Sequence, residues 1–154
     1  MSNSNKPVNE KSVLDRLFAA SEEASIPKKR VTIDRIDLSF LMSGLREGEI
    51  EKLEKRFTNV KRVRGEEKHD LDTKRFNRAL VAAATKAIGG EENMKWDHPD
   101  MLSRFKASGA EQVVKRVLLA GEINQLADVV LDLSGYYDSA SEDEDIKNFS
   151  PDEE

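Results

Sequence analysis

The sequence predicts a mainly α, α+β fold: a helical body, one small β element near the N-terminus, and a disordered acidic C-terminal tail. Three observations carry this. Apolar residues recur at three- and four-residue spacing over most of residues 12–137. A single stretch, near residues 30–42, switches to strict alternation. The charge is also uneven: residues 138–154 hold eight acids and one base, a net of −7, while the whole 154-residue chain carries −5. Such a tail has too little apolar surface to offset the entropy of ordering it. The expected organisation is a disordered segment 1–11, one α-rich domain 12–137 with strands near 30–42, and a flexible tail 138–154.

Composition narrows the function classes. There is no cysteine, so there is no disulfide framework, thiolate metal site or cysteine nucleophile. No apolar run approaches the roughly 20 residues of a membrane span, and MSNSNKPVNEK has no signal-type apolar core. A soluble intracellular protein is expected. Outside the tail the net charge is only +2, short of the basic excess of most nucleic-acid binders.

The elements follow in order. SVLDRLFAA has a capping signal at Ser12 and Asp15, and Val13, Leu14, Leu17 and Phe18 make a short apolar face. In KKRVTIDRIDLSFLM, Val31 and Ile33 alternate with Thr32 and Asp34, then Ile36, Leu38 and Phe40 with Asp37 and Ser39. This reads as two short strands or one bent strand. Ile50, Leu53 and Phe57 return to helical spacing. TNVKRVRGEEKHD reads as a charged loop, with room for a strand at Val60–Arg64. Asp72 caps a helix expected to run through TKRFNRALVAAATKAI, with Phe76, Leu80, Ala84 and Ile88 on one stripe and Gly89 as its left-handed terminator. Asp97 and Pro99 open a short helix in DHPDMLSRF.

VVKRVLLAGEINQLADVVLDLSG (113–135) reads as one long helix whose apolar side inverts. Val113, Val114, Val117 and Leu118 share one face; Leu119, Ile123, Leu126, Val130 and Leu133 share nearly the opposite one. Either the helix breaks near Ala120–Gly121 and both halves bury against one core, or it stays straight and the second stripe is offered to a partner. Under the first reading Gly121 marks a bend or a close approach, and a larger side chain there is expected to destabilise.

Catalytic and metal chemistry find little footing. His69 and His98 lie among carboxylates in HDLD and WDHPD, but neither stretch puts two ligands on one helical face. IGGEEN lacks the strand before it and the lysine after it that a phosphate loop needs. KKR (28–30) and KRVR (61–64) read as solvated basic faces. Trp96 is either an interface anchor or a core residue.

Beyond this, FNRAL (76–80), VLLAGEINQLADVVLDLSG (117–135) and the acidic run ending IKN (146–148) resemble the XkdN-like tail assembly chaperones of bacteriophages. The matching residues are Phe76, Asn77 and Leu80; Leu118, Leu119, Ala120, Gly121, Glu122 and Ile123; and Leu133, Ser134 and Gly135. The chain departs from the pattern in its polar N-terminus, its longer GGEENMKWDHPD connection and its FSPDEE extension. The resemblance implies a non-enzymatic protein without cofactor. It would bind and solubilise the tape measure protein in the bacterial host cytoplasm while the tail tube polymerises, and be absent from the mature virion. The tail tube protein and a second copy of the chain are further candidate partners; nucleic acid and membrane are not expected. The stripe Leu119, Ile123, Leu126, Val130 and Leu133 is the candidate partner surface. A structural adaptor of the tail or baseplate, and a small DNA-binding regulator, stand as alternatives.

Overall fold

The computed structural model describes residues 9–90 and 94–136. They form α1 (Glu10–Ala20), β1 (Lys28–Ile33), β2 (Leu38–Ser43), α2 (Glu47–Arg56), β3 (Thr58–Val63), β4 (Glu66–Leu71), α3 (Thr73–Ala84), β5 (Thr85–Ile88), α4 (Pro99–Phe105), α5 (Ala110–Val117) and α6 (Ala120–Leu133). The acidic tail and residues 1–8 lie outside the described residues. Asn9 is inside them, and its side chain accepts from the Ser12 N–H at 2.8 Å. The cap of α1 is therefore Asn9, three residues before the expected Ser12.

The expectation of a helical body with one small β element does not hold. The described residues form an α+β fold with five strands in two sheets, and their N-terminal part is built of both helices and strands. β1 and β2 pair antiparallel, Val31 opposite Phe40 and Ile33 opposite Leu38. Their alternation sends Val31, Ile33, Phe40 and Met42 into the core.

The sheet is completed by β5, which pairs antiparallel with β2 through a bulge at Leu41/Met42. Those residues were expected to be the last turn of α3. The helix stops at Ala84, and Thr85, β-branched and buried, takes extended backbone angles (φ −81°, ψ 117°). Its hydroxyl donates to the Val81 carbonyl at 2.6 Å and accepts from Trp96 Nε1 at 2.9 Å. Ile88 thus reaches the core from a strand. Gly89 does adopt a left-handed φ of 68°, but in the turn after β5, where its N–H donates to the Ser39 carbonyl.

The second sheet is the β3–β4 hairpin, in the stretch expected as a charged loop with room for a strand at Val60–Arg64; β3 runs Thr58–Val63 and β4 has no counterpart in that expectation. Arg64 and Gly65 both have positive φ, 55° and 81°, the signature of a type I′ two-residue turn. Its middle is exposed on both faces, so it lacks the apolar alternation that marks a strand in sequence.

The core lies between the three-stranded sheet and a helical layer. α3 is the centre of that layer, packing on α2, α5 and α6, while α6 also lies on β1 and β2. Leu80, Val81, Val113, Val114, Leu126 and Val130 are fully buried there. Trp96 belongs to the same core, stacked on Phe40 with ring centroids 5.5 Å apart.

Candidate partner-binding surfaces

The apolar inversion at 113–135 is a break, placed slightly before the glycine. α5 ends at Val117, and Leu118 and Leu119 are extended, with ψ of 151° and 160°. Two extended residues re-aim the chain, so Val113, Val114 and Leu118 on one side of the break, and Leu126, Ala127 and Val130 on the other, enter one core.

Glu122 holds the break. Its carboxylate accepts the Leu119 N–H at 2.8 Å, satisfying a donor that the first turn of a helix leaves unpaired. It also takes a bidentate pair from Arg35, Nε and one terminal nitrogen each at 2.8 Å, and Arg35 donates to the Val117 carbonyl at 3.0 Å. One guanidinium therefore ties the end of α5 and the start of α6 to the β1–β2 connection. The Arg35 guanidinium first, and the Leu119 N–H second, hold the Glu122 carboxyl at about 2, well below the usual carboxylate range. The same local device opens α2, where Glu49 accepts the Arg46 N–H at 2.9 Å. Both helices read x-x-Gly-Glu at that point: Arg46-Glu47-Gly48-Glu49 and Leu119-Ala120-Gly121-Glu122.

Gly121 itself is not the cause. A Cβ built there meets nothing within 4 Å, and the position is exposed in the first turn of α6. The glycine that matters is Gly44, where a Cβ would run into the Leu133 carbonyl. Beside it Ser134 Oγ accepts the Leu45 N–H at 2.8 Å and donates to Val130 O at 2.6 Å. Gly135, at φ 94°, lets the chain turn so that the Tyr136 N–H returns to the Leu131 carbonyl. The motif residues 118–123 and 133–135 thus build the two ends of α6. Phe76 and Leu80 are core residues of α3, and Asn77 beside them is half-buried.

The five stripe residues do not form one surface. Leu126 and Val130 are fully buried and unavailable to a partner of the folded chain; Ile123 and Leu133 are half-buried; Leu119 is 56% exposed. Leu133 borders a pocket with Ile26, Pro27, Gly44 and Leu45, at the other end of α6 from Leu119.

Sequence reasoning missed two larger apolar surfaces. No residue of α1 is buried: Val13 and Leu14 are each 41% exposed, Leu17 60% and Phe18 62%. The other is a groove of about 490 Å³ at the Leu38 end of the sheet. It is lined by Ile36, Leu38, Ile88, Met94, Met101 and Val117, with Phe40 and Trp96 behind them. The α1 stripe is visible in the sequence but not its lack of cover. The groove draws on four separate segments, and no local pattern announces it.

The histidines are apart in role. His69 stands on β4, 3.5 Å from Glu67. His98, rather than Asp97, caps α4, its Nδ1 accepting the Asp100 N–H at 3.1 Å. Asp72 caps α3 as expected, accepting from Arg75 N. Among the described residues no three His, Cys, Asp or Glu side chains gather as a metal site would require. None of the helices there is long and apolar enough to cross a membrane.

Comparison with known proteins decides the family. The sequence profile described as phage XkdN-like tail assembly chaperone protein matches residues 14–147. The chain belongs to that family. Its helix-break motif and the L-S-G terminus both fall inside the matched region. Among solved structures, the crystal structure of the protein yqbn is similar, with a TM-score of 0.51 and 18% identity, covering 78% of this chain and 96% of that one. That likeness is one of fold. Curated proteins give no match.

Proposed function

We propose that this tail assembly chaperone binds the tape measure protein and keeps its apolar helical segments soluble while the tail tube forms around them. The observation that carries the reading is the apolar groove at the Leu38 end of the sheet, open on a chain with 36% charged residues. Soluble proteins rarely leave such surface without a partner. Recognition would be helix-in-groove, with client side chains at three- and four-residue spacing entering beside Met94 and Met101, whose flexible thioethers adapt to varied shapes. Leu119 and the open part of Ile123 extend the contact, Leu133 offers a second one at the other end of α6 beside Gly44 and Leu45, and Leu126 and Val130 support both from the core. The work is non-enzymatic and requires no cofactor: holding and release suffice. It takes place in the host cytoplasm, and the chaperone leaves before the virion is complete. The tail tube protein is the other tail component it would meet.

Co-expression tests this. The tape measure protein should partition to the soluble fraction and co-purify with this chain, and the chain should be missing from purified particles. A tape measure protein equally soluble with and without it, and never co-purifying, overturns the proposal. Recovery of the chain in particles would make it a structural adaptor.

A further inference from the structure

We infer that the acidic run EDED at 142–145 docks in a basic cleft of its own chain, between α3, α5 and the end of α4. The cleft encloses about 420 Å³. It is lined by Arg75 and Arg78 from α3, Lys106 at the end of α4, and Lys115 and Arg116 from the last turn of α5. Among the described residues Glu111 is the one acid in its wall. That acid is already engaged: it meets Arg78 at 2.6 Å and Arg75 at 4.0 Å. The charged residues next in sequence to the lining, Lys74 and Arg104, are basic too. Asp72, one turn before Arg75, is taken up as the cap of α3.

These bases are braced for an acceptor. Arg75 lies over the Phe57 ring at 4.9 Å and Arg116 over Phe105 at 5.2 Å, so each guanidinium rests on one face and keeps its N–H edge free to donate. Lys106 and Lys115 are exposed and have no ion-pair partner among the described residues. Like charges gathered in a concave wall focus their potential and draw in an anion. The depression beside the cleft, which shares Arg75 and Glu111, adds Arg56 and Lys95 against Asp97. The other basic stretches are less one-sided. On the β3–β4 hairpin Arg62 faces Glu67, and Glu66 and Asp70 share the strands with Lys61 and Lys68. Lys28, Lys29 and Arg30 stand exposed along the edge strand β1.

The chain itself supplies the anion. Of the segments outside the described residues, 1–8 holds no acid. Residues 91–93 hold two, Glu91 and Glu92, which join through Met94 at the Leu38 groove, and that groove shares no lining residue with the cleft. Only 137–154 carries four acids in succession. Its reach agrees. The described chain ends at Tyr136, past the far end of α6, while Lys115 and Arg116 stand just before the break that sets α6 off. The span to retrace is α6 itself, 14 residues and so about 21 Å. Glu142 is six residues and Asp145 nine beyond Tyr136, which is about 20 to 32 Å of extended chain. Nucleic acid is the weaker fit: outside the tail the net charge is only +2, and Phe57 and Phe105 each carry an arginine where a base would stack. The tail's low apolar content still excludes a packed contact, so this one is electrostatic and yields to salt. The docked run screens the basic hollow from other anions, and it is independent of the client groove.

Disulfide trapping in the full chain, which has no native cysteine, reads this directly. Ala107 lines the cleft and Ser141 precedes the run. At low salt A107C/S141C should close within one chain about ten-fold faster than T32C/S141C, whose Thr32 stands exposed beside the basic stretch 28–30. The advantage should vanish in about 1 M salt. It should vanish too in K106E/K115E, which changes two exposed positions and leaves the core untouched. No advantage over T32C/S141C, or one that survives K106E/K115E, overturns the inference; retention of duplex DNA by the wild type at low salt would then give the cleft to phosphate. Cross-linked dimers in place of closed monomers would assign the run to a neighbouring copy and overturn it as well. Should A107C unfold, amide NMR of the E142Q/D143N/E144Q/D145N chain against wild type serves instead. Shifts should gather at residues 104–116 and at Arg75 and Arg78; shifts confined to the tail refute the contact.

Discussion

α1 and α6 carry apolar stripes of the same kind and meet opposite fates. In α6, Leu126, Ala127 and Val130 disappear into the core, and both ends of the helix are tied down by Glu122 and by Ser134. In α1 no residue is buried, and among the described residues the body holds the carbonyls of its last turn and the residues just after it. Periodicity says that a helix has an apolar side. It does not say what covers that side. The cover is fixed by contacts distant in sequence, which α6 makes with Arg35 and Leu45 and α1 does not make among the described residues.

If that contrast is right, substitutions in the two helices should separate sharply. The largest effect is expected in α6: Leu126→Asp buries a charge where no partner exists and should abolish cooperative unfolding, followed by the fluorescence of the single tryptophan, Trp96. Next comes Gly44→Ala. Its methyl group meets backbone rather than a movable side chain, so a loss of about 1–3 kcal/mol in denaturant unfolding is expected. Third is Glu122→Gln, which should lower the midpoint of thermal unfolding at neutral pH. The folded carboxyl titrates at about 2 against an ordinary 4.5. Its contribution is therefore complete above about 4.5 and is lost as pH falls towards 2, where variant and wild type should converge. Gly121→Ala should be neutral, or stabilising by up to about 1 kcal/mol, since the site is open and helical. The smallest effect belongs to α1: Leu17→Glu should stay within about 0.5 kcal/mol of wild type in denaturant unfolding.

The sequence carried some of this plainly. The β1–β2 pair is legible because one face is buried and the other wet, so Val31, Ile33 and Phe40 alternate with polar neighbours. Asp72 announces its helix because the cap is a local interaction. β5 is illegible because Ala82, Ala83 and Ala84 favour helix right up to Thr85, and only its bond to Trp96 and its pairing with Met42 turn the chain. The β3–β4 hairpin is hidden for the reverse reason: only its base, at Thr58 and Leu71, is half-buried, so the turn at Arg64–Gly65 is its main local mark. At the break, the inversion of the stripe is visible, but the sequence leaves a break near Ala120–Gly121 and a straight helix both open. The cause, the Arg35 guanidinium on Glu122, sits 87 residues away. The candidate surface suffered likewise, since a stripe bent at Leu118–Leu119 becomes core at Leu126 and Val130 and leaves Leu119 outside.

The closure of α6 onto the first hairpin also sets an order of events during synthesis. Arg35 waits for Glu122, and Leu45 for Ser134, across 87 and 89 residues of chain. Until that last helix leaves the ribosome, β1, β2 and α3 have no lid over Met42, Leu80 and Val81. A nascent chain halted before Ser134 would therefore display its apolar interior, a template for aggregation.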